Sequence, residues 1–299
     1  MKAVLFLLYA GYRRAGGLKE VTSTACIYAL TAIALAALIA PIAHIVINGV
    51  SSLSIDFIVQ EPAESGRAGG IGSILISTFL IVAISLAAAL PLALGTAVLL
   101  SEFMPRSKVV MPVVRNALDV LAGVPSVVFG LFGLAFFCRQ LGMGYSILAG
   151  GLTLACMILP VLIRTFCNAI ESAPPSYKLA SASLGVSRTA TLWHITLPVA
   201  LAGLTSGCVL GLTRAFAETA VLLFTSGYSD RMPASVMDSG RSISVHIYEL
   251  ATNIPGGQNA AYGSALVLLT LLAAISMAIH FASVKLQSKF LGVTLPTWR

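Results

Sequence analysis

Six apolar runs limit what this chain can become. They lie at about residues 25–48, 74–100, 116–137, 145–168, 198–224 and 262–284. A hydrocarbon core about 30 Å thick is crossed by about 20 apolar residues in helical form, because a helix satisfies its own backbone where water is absent. Each run meets that length. Only 10% of the 299 residues are charged and 58% are hydrophobic, whereas a soluble domain carries about 25% charged residues. A two-domain soluble protein is therefore excluded. The reading is an all-α integral membrane protein of six transmembrane helices, enough to enclose a polar pathway between them.

The placement of Lys and Arg orients the spans. Lys2, Arg13, Arg14, Lys19, Arg106, Lys108, Arg115, Arg164, Lys178, Arg188, Lys285, Lys289 and Arg299 fall on one side. The opposite loops hold Arg67, Arg139, Arg231 and Arg241. Positively charged loops stay in the cytoplasm, so both termini and the 174–198 loop are expected there. This asymmetry accounts for the net charge of +7. The cations are scattered across loops, so membrane lipid and no nucleic acid is the expected surface partner.

Residues 1–24 read as a cytoplasmic or interfacial arm, since the apolar start MKAVLFLLYAG is interrupted by Arg13 and Arg14 and lacks a small-residue cleavage site. Residues 25–299 read as one six-helix domain. Five cysteines lie in or beside apolar spans without CxxC spacing, which predicts free packed thiols and no metal site. Two long loops, 49–73 and 225–261, face the exported side, the second with a short helix expected around Val245–Thr252. Long loops facing one compartment suit docking of a soluble partner or serve as plain tethers.

Within the spans, Gly203, Gly207 and Gly211 fall on one helix face, where small residues let backbones approach in lipid. Pro91, Pro125 and Pro160 each remove a helix hydrogen bond and mark sites where a helix can bend. Arg214 stands well inside the fifth span, with Glu218 four residues later. Residues four apart share a helix face. A charge at the bilayer centre costs at least about 3 kcal/mol on insertion scales, so it faces a cavity or a partner. Arg offers a planar fork that matches an oxyanion, and Glu218 is expected to hold that fork and keep the empty site neutral. A purely structural Arg–Glu pair is the alternative. Arg164, late in the fourth span, either faces the pathway or snorkels to headgroups. Asp119 opens the third span four residues after Arg115, and a helix-start carboxylate or a local ion pair explains it. Ser126 and Thr219 are candidate neutral donors beside the path. The chain carries no Walker A phosphate loop and no GxSxG elbow, so ATP hydrolysis would reside on another polypeptide.

Between the fourth and fifth spans, residues 174–198 read PPSYKLASASLGVSRTATLWHITLP. Gly185 is followed by nine residues, then Ile195, one residue, Leu197 and Pro198. This spacing resembles the coupling loop of ABC-transporter membrane subunits, EAA, three residues, Gly, nine residues, Ile-x-Leu-Pro. The EAA positions are Leu179, Ala180 and Ser181 here. Three further stretches resemble phosphate permeases: AGVPSVVFGLFG (122–133), LPVLIRTF (159–166) and RAFAETAVLLFTSG (214–227). From about residue 70 onward the chain is similar to the PstA-type membrane subunit of the phosphate-specific ABC importer. It departs from that pattern at Ala217, Val221 and Cys167, where the family has Gly, Pro and a carboxylate.

The resemblance implies a type I ABC importer permease (MetI-like) fold with its coupling loop at about 171–198. It implies ATP-driven import of inorganic phosphate, with Arg214, Glu218 and Arg164 on the path. It also implies four kinds of partnership: a PstC-type permease in a heterodimer, two PstB-type ATPase subunits, a PstS-type exported phosphate-binding protein, and lipid. Lys178, Ala180, Gly185, Ile195, Leu197 and Pro198 would form the coupling segment. ATP and Mg would sit on the ATPase, with no cofactor on this chain and no enzymatic activity of its own. The alternatives are a permease for sulfate or molybdate, and an ATP-independent channel or secondary transporter.

Overall fold

The computed structural model describes residues 18–104 and 110–291. Most of the 1–24 arm lies outside them, as do the cations Lys2, Arg13, Arg14, Arg106, Lys108 and Arg299. Two helices form the centre: α2 (Gly72–Val98), the later α5 (Ile147–Glu171) beside it. On α2, Ile81, Ser85, Ala89, Ala93 and Ala97 are buried at steps of four, a single helical face. Four of these are small, so the two backbones come close. A Cβ on Gly151 of α5 would lie 2.7 Å from the Ile84 side chain. Inside lipid this close fit, and not removal of apolar surface from water, is what holds helices together. Leu154, Ile158 and Leu162 of α5 are fully enclosed, as are Phe216 and Leu222 from later in the chain.

The first span, α1 (Leu18–Gly49), is apolar but peripheral; none of its most apolar window is buried within the chain. Its described packing is against the long helix α11 (Gln258–Leu291), where His44 hydrogen-bonds the Tyr262 hydroxyl at 3.0 Å and Gly49 sits on the Tyr262 carbonyl. Between α1 and α2 a small two-stranded structure pairs β1 (Pro62–Ala63) antiparallel with β2 (Ala68–Gly69), Pro62 opposite Gly69. Its turn carries Glu64, Ser65 and Gly66 at positive φ.

The third span corrects the expectation of one continuous helix over 116–137. It consists of α3 (Val110–Ala122) and α4 (Ser126–Gly133), with an 89° bend between them. Pro125 has no N–H to donate and disfavours helical geometry at Val124, and the adjoining Gly123 lowers the cost of leaving the helix. Pro91 and Pro160 lie inside α2 and α5, which run on through them. After α4 the chain continues as a π-helical turn over Leu134–Gln140.

The coupling segment folds as α6 (Pro175–Ser183) and α7 (Arg188–Thr191), joined through Gly185 at φ +71. Pro175 opens α6 at a position where the missing N–H costs nothing. A π-helical turn over Leu192–Thr196 leads into α8 (Leu197–Ala217). The fifth span is also not continuous over 198–224. It stops at Ala217, Glu218 adopts extended geometry at φ −72, ψ 124, and the chain resumes as α9 (Ala220–Thr225). Helix α10 (Ile243–Thr252) appears where a short helix was expected, with Ser242 capping it through the Val245 N–H. The five cysteines are free thiols. Among the described residues no cluster of His, Cys, Asp or Glu is arranged to hold a metal ion.

Candidate functional site

Two guanidinium groups on facing helices define the site. Helices α5 and α8 run antiparallel, with Gly203 against Ala169, Gly207 against Phe166 and Gly211 against Leu162. That register puts Arg214 level with Leu159. Arg164 then lies about five residues, or roughly 7.5 Å, nearer the coupling-loop end.

Arg214 occupies the last turn of α8 and is half-buried. It makes no hydrogen bond or ion pair among the described residues, although its charge reaches Glu218 through space. The expected shared helix face is corrected here, because the helix ends before Glu218. A break in mid-span frees backbone groups that lipid cannot satisfy. Ser244 of α10 answers one of them, its hydroxyl donating to the Glu218 carbonyl at 2.6 Å. Thr219 forms the rest of the break. Helices α4 and α9 run parallel, Gly130 against Val221 and Gly133 against Thr225. One turn earlier on α4, Ser126 therefore lies level with the break. Arg214, Glu218, Thr219 and Ser126 thus share one depth in the bundle.

Arg164 is treated differently. It forms an ion pair with Asp119 of α3, and Arg115 of α3 pairs with Glu171 at 2.5 Å at the end of α5. The local Arg115–Asp119 pair expected from sequence is replaced by these two cross-helix pairs. The 89° bend explains the exchange: it lays α3 along α5, so both charges of α3 find partners there. The four charged groups line a cavity of about 110 Å³, together with Cys167 and Asn168. It adjoins a cleft of about 1240 Å³ that reaches Glu102 beyond the end of α2 and Lys178 and Arg188 in the 174–198 segment. Neither cavity is lined by Arg214, Glu218, Thr219 or Ser126.

In the coupling segment, Lys178 points back toward the bundle and pairs with Glu102 at 2.5 Å, while Ser181 is buried. Ala180 and Gly185 are exposed, and Ile195, Leu197 and Pro198 are half-buried where the segment enters α8. Leu179 and Leu184 project large apolar side chains outward, 69% and 81% exposed.

The end of the bundle away from the 174–198 segment holds a polar cluster that sequence reading passed over. Arg241, 8% exposed, donates to the Tyr228 carbonyl at 2.9 Å and stands 4.0 Å from Asp230. His246 is fully buried beside it, against Gly66 of the β1–β2 turn. Burial, reinforced by the Arg241 charge, lowers the His246 pKa to about 3, so it is neutral. A lone Arg and a lone His 5 residues apart give no sequence signal of this kind.

The arrangement is that of an apolar helical bundle with a pair of short helices at one end, a half-buried Arg214 and an exposed, ion-paired Arg164. A sequence profile for the binding-protein-dependent transport system inner membrane component matches residues 89–286. The chain belongs to this family. That makes it a multi-pass inner-membrane permease subunit of an ABC importer, a transport component and not an enzyme, of a kind that works with an ATPase and a binding protein. It is 33% identical over 273 residues to the "probable ABC transporter permease protein YqgI" of Bacillus subtilis, covering 86% of this chain and 92% of that one. It is 34% identical over 213 residues to the "phosphate transport system permease protein PstA 1" of Mycobacterium tuberculosis, covering 71% and 69%. Among solved structures, a bacterial ABC transporter for import of the acidic polysaccharide alginate superposes with a TM-score of 0.63 at 15% identity, over 89% of this chain and 98% of that one. The inner-membrane component fold, a MetI-type importer permease, is thereby shown.

Proposed function

We propose that this permease subunit carries inorganic phosphate across the cytoplasmic membrane. The observation that carries the reading is Arg214: a half-buried guanidinium in mid-span, without a hydrogen-bonded counterion among the described residues, at a break in the helix. A guanidinium in lipid is costly unless something answers it, and a tetrahedral oxyanion matches its fork. Glu218 at the break moderates the local charge, which favours release over tight capture. Ser126 and Thr219 supply neutral donors at the same depth. Arg164 receives the anion on the coupling-loop side, where Asp119 holds its place between passages. The relative named as a phosphate permease supports this choice of substrate.

The chain works with a second, PstC-type permease, two PstB-type ATPases and a PstS-type exported phosphate-binding protein. ATP and Mg bind the ATPases, and the 171–198 segment transmits their closure. Labelled phosphate uptake by cells carrying the assembled complex tests the reading. ATP-dependent uptake competed by arsenate but not by sulfate or molybdate is the expected result. Uptake of sulfate or molybdate instead of phosphate overturns it.

A further inference from the structure

The coupling segment must pull on something. Helix α6 turns Leu179 outward, as Leu184 is just past its end, and turns Lys178 and Ser181 inward. Of these, Ser181 bonds within its own helix, to the Tyr177 carbonyl. Lys178 alone reaches a membrane span: its ammonium donates to the Glu102 carboxylate at 2.5 Å. Among the described residues this is the one hydrogen bond or ion pair that joins α6 to a span.

Glu102 is well placed to receive force. Its side chain is 16% exposed and that of Lys178 34%, the most enclosed pair in the bundle's coupling-loop end. Enclosure weakens screening by water and salt, so this pair holds better than its exposed neighbours. Glu102 belongs to the π-helical turn Leu99–Phe103, which continues α2. Such turns recur at functional sites, because one hydrogen-bond register there is already shifted. Helix α2 in turn is packed through its alanine face along α5, the helix that carries Arg164. The same π turn walls the cleft that adjoins the Arg115–Asp119–Arg164–Glu171 cavity.

We propose that the Lys178–Glu102 pair is the joint through which α6 moves the second span, so that Glu102 is a positioning residue for ATP-coupled transport. The proposal rests on family membership and not on the choice of substrate.

The test uses the assembled complex with its ATPase and binding protein in lipid vesicles, supplied with Mg-ATP and labelled inorganic phosphate. Glu102→Gln leaves the coupling segment's own sequence intact. Binding-protein-stimulated ATP hydrolysis and uptake are both read, along with recovery of the ATPase in the complex. The expected result is an assembled E102Q complex in which stimulation and uptake each fall at least tenfold. The exchanged pair E102K with K178E is expected to recover at least a third of both. Uptake within twofold of the parent in E102Q overturns the proposal. Loss of the ATPase from E102Q overturns it too, making the pair a scaffold. So does an exchanged pair that assembles, or fails to, without recovering stimulation. A parent complex that imports no phosphate counts against the substrate only, and the joint is then read from stimulated hydrolysis.

Discussion

Gly133 stands where three helices meet, and replacing it with Ala is expected to be costly. A Cβ there would lie 2.2 Å from Thr153 Oγ1, 2.4 Å from Thr153 Cγ2 and 2.8 Å from Thr225 Cγ2. Ordinary contact between such atoms is about 3.5–4.0 Å, so Thr153 must retreat by more than about 1 Å. It cannot do so by a simple rotation. Its hydroxyl is bonded to the Ala149 carbonyl at 2.7 Å, and that of Thr225 to the Val221 carbonyl at 2.8 Å. Both threonines are fully buried, so any lost bond stays unmade. Overpacking of this kind costs about 1–3 kcal/mol. For a chain of this size that lowers the melting temperature by about 2–5 °C. Gly95 is the matched control. It lies inside α2 with nothing within 4 Å of its added Cβ. Gly95→Ala is expected to stabilise by about 0.4–1 kcal/mol, through the lower backbone entropy of Ala. Thermal unfolding of the two purified variants in the same detergent decides the matter. A G133A protein that melts with the parent, or a G95A protein that falls as far as G133A, refutes the packing argument.

Other expectations concern charge and polar satisfaction. Arg214→Lys should assemble yet lose at least about tenfold in phosphate uptake, because an ammonium lacks the planar fork; uptake at parental rate would reduce Arg214 to a structural ion. Folded His246 has its pKa lowered to about 3 from 6.5, so its neutral form contributes stability above pH 6.5 that is lost as pH falls toward 3. Unfolding free energies from urea titrations should therefore decline by about 1.4 kcal/mol per pH unit through that window, and His246→Gln should flatten the slope. Ser244→Ala leaves the Glu218 carbonyl without its donor and should destabilise by about 1–3 kcal/mol, measurable by the same melt.

Much of the architecture was legible in the apolar runs, because span length is fixed by bilayer thickness. Family membership was legible too, partly through one glycine and the Ile-x-Leu-Pro that follows it. What escaped was where helices stop. Pro41, Pro91, Pro125 and Pro160 look alike in sequence, yet of these only Pro125 coincides with a break. Gly123 stands two residues before Pro125, whereas the other three have no glycine within three positions. The break at Glu218 has no local mark, since its carbonyl is satisfied by Ser244, 26 residues away. Charge partners were equally hidden: Asp119 and Arg115 pair across helices once the bend lays α3 on α5. The depth of Arg214 in its span could be read directly, but its freedom from Glu218's helix face could not.

The outlying position of α1 bears on how the protein is made. Its described partner is α11, and the contact residues Gly49 and Tyr262 are more than 200 positions apart. At roughly 5–20 residues per second, translation takes about 10–40 s to travel between them. Throughout that interval the first helix sits in lipid with its eventual neighbour still unmade. Lipid solvates its apolar sides without penalty, but His44 has no Tyr262 to bond until α11 arrives. Helix α1 thus waits in lipid through most of the synthesis that follows it and is seated only when α11 is made.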